Sequence, residues 1–276
     1  MNSKNSILLV DPAFDTNTAQ TCSLLIKVTA DNFSYAIIDH AENQLKVLYD
    51  QQECENPAKD LFDRLASDPH LSISFDHVKA AVYTQNSLAV PNDLYNIQQS
   101  NDYGKYFATA LSNKLHTQQA GNFNFTSVFS LDSELEESLS TKFPGCKFYN
   151  HVSPLLELTR DTSENALVLD FTVGSVNVIY LENRKFIFQN YFEIEDAEEF
   201  NYYLLFMINQ LNIDTTTTGI YVSGVIHEED ALAKVITKYF NHISFTSPIN
   251  TNLNQQIIED MPANYYSSLL ALNVCE

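Results

Sequence analysis

Two stretches of the chain carry the same order of apolar and polar positions. Residues 23–50 read SLLIKVTADNFSYAIIDHAENQLKVLYD, and residues 166–192 read ALVLDFTVGSVNVIYLENRKFIFQNYF. Each is an apolar strand, a short polar turn, a second strand, another polar turn and a third strand. In the first copy Leu24, Ile26 and Val28 alternate with Ser23, Leu25, Lys27 and Thr29. That period of two predicts a half-buried strand. Each triplet of strands is followed by a stretch of helical spacing. A pattern repeated in this way predicts two halves of similar fold, facing each other across a cleft.

The rest of the chain fills in the scheme. Leu61, Phe62 and Leu65 form the apolar stripe of a helix that Asp68-Pro69 ends. A strand at HVKAAVYTQ leads into NSLAVPNDLY, where Pro91 predicts a loop. Residues 93–116 read as a polar helix, and TQQAGN as a break after it. NFTSVFSL is a strand, 133–143 a helix ended by Pro144-Gly145, CKFYNHVS a strand, and a short helix starts at Pro154. The polar stretch 159–165 divides the halves, giving lobes of 1–158 and 159–276. In the second half Phe200, Tyr203, Leu204, Met207, Ile208 and Leu211 recur at helical spacing. A strand at GIYVSGVI, a helix at EEDALAKVITKYF, a strand at HISFTSP and a terminal helix at 264–274, free to dock back on the first lobe, complete it. The order β-β-β-α-β-α-β is an α/β plan with a mixed sheet.

Length and composition fit this plan. The chain has 276 residues, enough for two domains, and 45% of them are apolar. With 35 Asp and Glu against 15 Lys and Arg, the formal charge is −20. So acidic a chain lacks the basic face that nucleic acid or an anionic membrane surface requires. The charge serves solubility or attracts a basic protein partner. Cys22, Cys54, Cys146 and Cys275 lack ligand spacing and read as free thiols in a reducing compartment. The N-terminal apolar run is too short for a signal peptide, and no segment nears 18 apolar residues. These features predict a cytoplasmic protein without membrane insertion.

The duplicated order resembles the actin-like ATPase superfamily, which includes actin, Hsp70 chaperones and sugar kinases. The FDxxxxxxCSLLIKV region at 14–28 and the Ala89-Val90-Pro91 loop are most similar to a family of uncharacterised Bacteroides-type bacterial proteins of that fold. The resemblance implies the duplicated ribonuclease-H-like core of a two-lobed protein. It also implies ATP and magnesium in the cleft, held by an Asp-x-Gly triplet in each first hairpin and a Gly-Gly pair on a later strand. Here the first triplet is Lys27-Val28-Thr29, the second is Asp170-Phe171-Thr172 with Gly174 two residues on, and Ser223-Gly224 stand at the pair. Lysine replaces one aspartate and most of the glycines are missing. The chain has six glycines in all, few for a phosphate clamp.

Each candidate has two readings. Lys27 binds an anion in the cleft or is an exposed strand lysine. Asp170 is a relic of a metal or phosphate site, or a strand-end aspartate bonded to a turn. Ser223-Gly224 touch a ligand or simply make a tight turn. Thr29, Thr172 and Gly174 flank the same hairpins. His227-Glu228-Glu229-Asp230 lacks the i, i+4 spacing of a helical metal site and opens a helix, where acidic residues suit the dipole. No metal site is expected. The reading leans away from an enzyme and from a cofactor, toward a non-catalytic adaptor whose partner is another protein, basic in character, or a second copy. The alternative is a divergent ATPase or small-molecule kinase using ATP, magnesium and Asp170. The pairs Tyr202-Tyr203 and Tyr265-Tyr266 and the strand Phe186-Ile187-Phe188 offer apolar area that is core for the most part. The helices at 198–211 and 264–274, apolar on most sides, are either buried or the place where a partner surface is expected.

Overall fold

The computed structural model describes residues 5–16, 21–107, 114–160, 162–247 and 252–276. They fall into two units, Met1–Ser153 with Asn252–Ile257, and Pro154–Thr251 with Ile258–Glu276. The first unit runs β1 (Ser6–Val10), β2 (Cys22–Val28), β3 (Phe33–Asp39), β4 (Gln44–Gln51), α1 (Pro57–Ser67), β5 (His77–Val82), β6 (Ser87–Pro91), α2 (Ser100–Tyr103), β7 (Leu115–Ala120), β8 (Phe125–Ser130), α3 (Ser133–Lys142) and β9 (Lys147–Asn150). Its main sheet has the order β1-β4-β3-β2-β5-β9, and a second sheet has the order β6-β8-β7. Helix α4 (Val152–Glu157) leads into the second unit. That unit contains β10 (Ala166–Phe171), β11 (Ser175–Glu182), β12 (Lys185–Glu193), α5 (Ala197–Gln210), β13 (Gly219–Gly224), α6 (Ala231–Thr237), β14 (Ile243–Phe245) and α7 (Ser267–Ala271). Its sheet has the order β12-β11-β10-β13-β14.

Local chemistry sets the elements. Asn56, Asp132 and Asp196 each accept a hydrogen bond from a backbone N–H of the first turn of α1, α3 and α5. These caps satisfy donors that a helix start leaves free. Asn183 and Arg184 both have positive φ, so β11 and β12 close by the two-residue turn that matches strand twist. In the first unit Leu24, Ile26, Tyr35 and Val47 pack with Leu61 of α1 and Leu135 and Leu139 of α3. In the second, Leu167, Leu169, Val178 and Val222 pack with Phe200, Leu204 and Met207 of α5. Fully burying side chains of this size stabilises by about 1.5–3 kcal/mol each.

The register makes the repeat explicit. β2 pairs antiparallel with β3 and parallel with β5, and β10 pairs antiparallel with β11 and parallel with β13. Several sequence expectations need correction. Strand β2 is buried along its whole length rather than half-buried, since both faces of its sheet are covered there. Ser87–Pro91 is an edge strand, not a loop, and its proline closes it where no ladder donor is needed. Residues 93–107 make only short helical turns rather than one helix, while 108–113 lie outside the described residues. Leu115–Ala120, read as helix end and break, is a polar strand paired with β8. The terminal helix spans only Ser267–Ala271, with one 3-10 turn after it. It is tied within its own unit by Thr246 Oγ1 to Ser267 Oγ, 2.9 Å.

Candidate functional site

Lys27 and Asp170 each lie one residue before the end of the central strand of their sheet. Lys27 stands opposite Ser34 on the antiparallel side and Ala81 on the parallel side. Asp170 stands opposite Asn177 and Ser223. The threonine two positions on, Thr29 or Thr172, opens the turn in both units. Its N–H donates to Asn32 O at 2.8 Å or to Ser175 O at 3.0 Å. The structure therefore brings Lys27 and Thr29 together at one hairpin end, and Asp170, Thr172, Gly174, Ser223 and Gly224 together at the other.

In the first unit the turn is closed on itself. Thr29 Oγ1 lies 2.8 Å from Asp31 Oδ1 and 2.7 Å from Asn32 Oδ1, its single proton shared between these acceptors, and receives the backbone N–H of Asn32 at 2.9 Å. Asn32 Nδ2 then donates to Asp50 Oδ1 at 3.0 Å. Asp50 stands on β4 opposite Ser34, which itself faces Lys27, so Lys27, Ser34 and Asp50 line one face across three strands. Burial pushes the Asp50 carboxyl above the usual carboxylate range. The bonds from Gln52 and Asn32 and the Lys27 charge oppose that rise. Lys27 is only 7% exposed, which corrects its reading as an exposed strand lysine.

In the second unit Ser223 Oγ donates to Asp170 Oδ1 at 2.6 Å, and both side chains are fully buried. Thr172 Oγ1 and Ser175 Oγ lie 2.6 Å apart across the turn. The Gly174 carbonyl accepts the Ile194 N–H at 2.9 Å. Gly224 has φ +82°, and a Cβ there would lie 2.0 Å from the Phe171 carbonyl oxygen. Its backbone is held by Asn264, whose carbonyl accepts the Gly224 N–H and whose side-chain amide donates to the carbonyls of Gly224 and Ile226. Asp170 thus bonds a neighbouring strand. Asn32, Asp50 and Asn177 escaped the sequence reading. Register and the hairpin hydrogen bonds assign them: Asn177 sits opposite Asp170, Asp50 shares a face with Lys27 two strands away, and Asn32 bonds Thr29. Among the described residues Asn177 Oδ1, which is buried, has no hydrogen-bond partner. Among the described residues no group of three or more His, Cys, Asp or Glu is placed to hold a metal ion. His227 instead bonds Asp230, the residue that precedes α6.

Comparison with known proteins places this geometry. The model of the DUF3822 family, described as a protein of unknown function, matches residues 11–243. The chain belongs to this family. A Bacteroides thetaiotaomicron protein with an actin-like ATPase fold and unknown function is similar over 95% of this chain and 99% of its own, at 17% identity and TM-score 0.75. A PilM–PilN type IV pilus biogenesis complex matches over 91% and 97%, at 12% identity and TM-score 0.54. The ethanolamine utilization protein EutJ from Carboxydothermus hydrogenoformans matches over 97% and 93%, at 7% identity and TM-score 0.52. No curated protein sequence matches. The DUF3822 chain has the actin-like ATPase fold that its sequence resembles. No helix among the described residues is long and apolar enough to cross a membrane.

Proposed function

We propose that this DUF3822 protein is a non-catalytic interaction module, an adaptor built on an actin-like scaffold and acting in the cytoplasm. One observation carries the reading: the polar groups at the first hairpin are consumed by the hairpin itself. The N–H groups of Asp31 and Asn32 both reach Thr29 Oγ1. A phosphate bound at such a turn would need those donors free. Lys27, at the register position that Asp170 holds in the second unit, puts a cation where a magnesium-holding carboxylate is required. Gly224 is required by the close approach of Phe171, so its lack of a side chain need not serve a nucleotide. The residues present therefore fit ATP and magnesium poorly in the first unit. The PilM–PilN type IV pilus biogenesis complex, which contains a chain of this fold, offers a precedent for a protein partner on this scaffold.

A second reading keeps ATP and magnesium, as a divergent ATPase or small-molecule kinase. The buried Asn177 Oδ1 opposite Asp170, without a hydrogen-bond partner among the described residues, favours it, because paired oxygen acceptors suit a hard divalent cation. Asp170 and Asn177 would then hold the metal, with Thr172, Gly174, Ser223 and Gly224 around it. Isothermal calorimetry with ATP and magnesium separates the two readings. No heat of binding at micromolar protein is expected. Saturable binding that disappears in Asp170→Ala would replace the adaptor reading with the catalytic one.

A further inference from the structure

Helix α5 displays aromatic residues where a surface helix normally carries charge. Tyr202 is 64% exposed and Phe206 48%. They sit four residues apart, so they share one outward stripe, and their rings stack at 6.5 Å with an interplanar angle of 20°. Glu198 continues the stripe one turn toward the N-terminus. Phe200, Leu204 and Met207 already satisfy the core on the opposite side. Burial in this unit therefore does not account for the aromatic stripe. The patch is tied to the sheet: Tyr203, between the core and the exposed face, stacks on Phe192 of β12 at 4.6 Å, and its ring meets Tyr202 edge-on at 5.5 Å.

The charge around the patch selects the occupant. From Phe186 to Ala233 the chain has no Lys or Arg but nine Asp and Glu, five of them between Glu193 and Glu199. Glu193, Glu195, Asp196 and Glu198 are all exposed beside the start of α5. An apolar stripe beside carboxylates complements a segment that pairs apolar side chains with Lys or Arg. A second copy would bring the same acidic rim and another net charge of −20, which repels. We propose that the Tyr202–Phe206 face of α5 docks a basic amphipathic segment of another protein. Aromatic anchors supply the binding energy, and the carboxylates supply orientation and on-rate. This inference rests on the adaptor reading and gives that reading a surface.

The probe is a synthetic 16-residue helical peptide with Leu on one face and Lys on the other, titrated into the full chain with fluorescence anisotropy. Saturable one-to-one binding is expected, weakened at least tenfold by Tyr202→Ser with Phe206→Ser. It should also weaken by Glu195→Lys with Glu198→Lys, and steeply with added salt. A peptide with Ser in place of Leu should lose the binding. All four positions substituted are exposed, and circular dichroism with thermal melting checks that each variant folds. Equal binding by the aromatic variant, or by the Ser peptide, would reduce the effect to bulk charge attraction and overturn the proposal. So would absence of binding to the unsubstituted chain. A dimer in light scattering that Tyr202→Ser with Phe206→Ser dissolves would assign the face to a second copy instead. ATP calorimetry on the same preparation is an independent arm. Nucleotide binding with intact peptide docking would sink the non-catalytic reading and leave the surface standing.

Discussion

Lys27 and Asp170 occupy the same position in the two units: each is the penultimate residue of a central strand, two before the threonine that opens the turn. The duplication has thus kept the backbone while inverting the charge at one position. The consequences of removing each differ. Asp170 is fully buried and receives the Ser223 hydroxyl. Asp170→Ala leaves that hydroxyl without its acceptor in a dry setting, and should cost about 1–3 kcal/mol. Urea denaturation checks this through the midpoint, with Ser223→Ala and the double variant closing the cycle. Additive losses would show that the two side chains are energetically independent.

Gly224 and Gly145 offer a controlled pair. Both have positive φ, +82° and +87°. At Gly145 an added Cβ meets nothing within 4 Å among the described residues, whereas at Gly224 it runs into the backbone of Phe171. Gly145→Ala should pay only the left-handed backbone term, about 1–2 kcal/mol. Gly224→Ala must in addition push β13 away from β10, and should lose more than about 3 kcal/mol or fail to accumulate as folded protein. Thermal melting of the two variants side by side makes the comparison. Similar losses would mean that the strand end yields easily.

Asp68, just after α1, gathers the buried polar contacts of the first core. Its carboxylate accepts the Tyr35 hydroxyl at 2.5 Å and the His70 N–H at 2.9 Å, and pairs with Arg64 at 2.6 Å. Arg64 in turn lies 4.0 Å over the Tyr49 ring. Burial alone would push this carboxyl up, but the Tyr35 hydroxyl, the His70 backbone and the Arg64 charge outweigh it and hold it below the usual range. A depressed carboxyl contributes stability that is present at neutral pH and lost as pH falls through its folded value. Asp68→Asn should therefore cost about 2–4 kcal/mol near pH 7. The difference from the unsubstituted chain should shrink as pH falls below about 4, where the unfolded chain takes up a proton first, and vanish once the folded carboxyl is protonated too. Guanidinium melts between pH 3 and 7 measure it, and a pH-independent difference would remove the ionic explanation.

How much of this was legible in the sequence depended on packing. The three-strand repeats and helices α1, α3 and α5 carry strong periodicity and capping residues, and their types follow from the residues alone. The alignment of Lys27-Val28-Thr29 with Asp170-Phe171-Thr172 is the one that the strand register displays. Strands β6 and β7 were hidden because edge strands of a small sheet need no apolar alternation. The sequence LHTQQA pairs through its backbone, and none of its residues is fully buried. Burial of Lys27 was invisible for the opposite reason. Its own strand alternates as a half-exposed strand would, and only the covering of both sheet faces decides otherwise. Asp50 and Asn177 became visible once register placed them opposite Ser34 and Asp170.

Lys27 and Asp50 give the last prediction, because they share a face two strands apart. Neighbouring strands lie about 4.8 Å apart, so the backbones are separated by about 10 Å, within reach of a lysine side chain. Burial raises the Asp50 carboxyl, so its ionisation opposes folding and stability declines as pH rises through the acid range. The Lys27 charge limits that decline. Lys27→Met removes the charge, raises Asp50 further and should destabilise by about 1–2 kcal/mol at pH 7. The loss should be smaller near pH 3, where Asp50 is protonated in both the folded and unfolded chains. Asp50→Asn placed on the Lys27→Met background should recover most of the loss, since no buried carboxylate then remains to be offset. Denaturant melts of the four chains at pH 3 and pH 7 provide the cycle. A Lys27→Met penalty that is the same at both pH values, or that Asp50→Asn leaves untouched, would show that the lysine acts through its aliphatic packing alone.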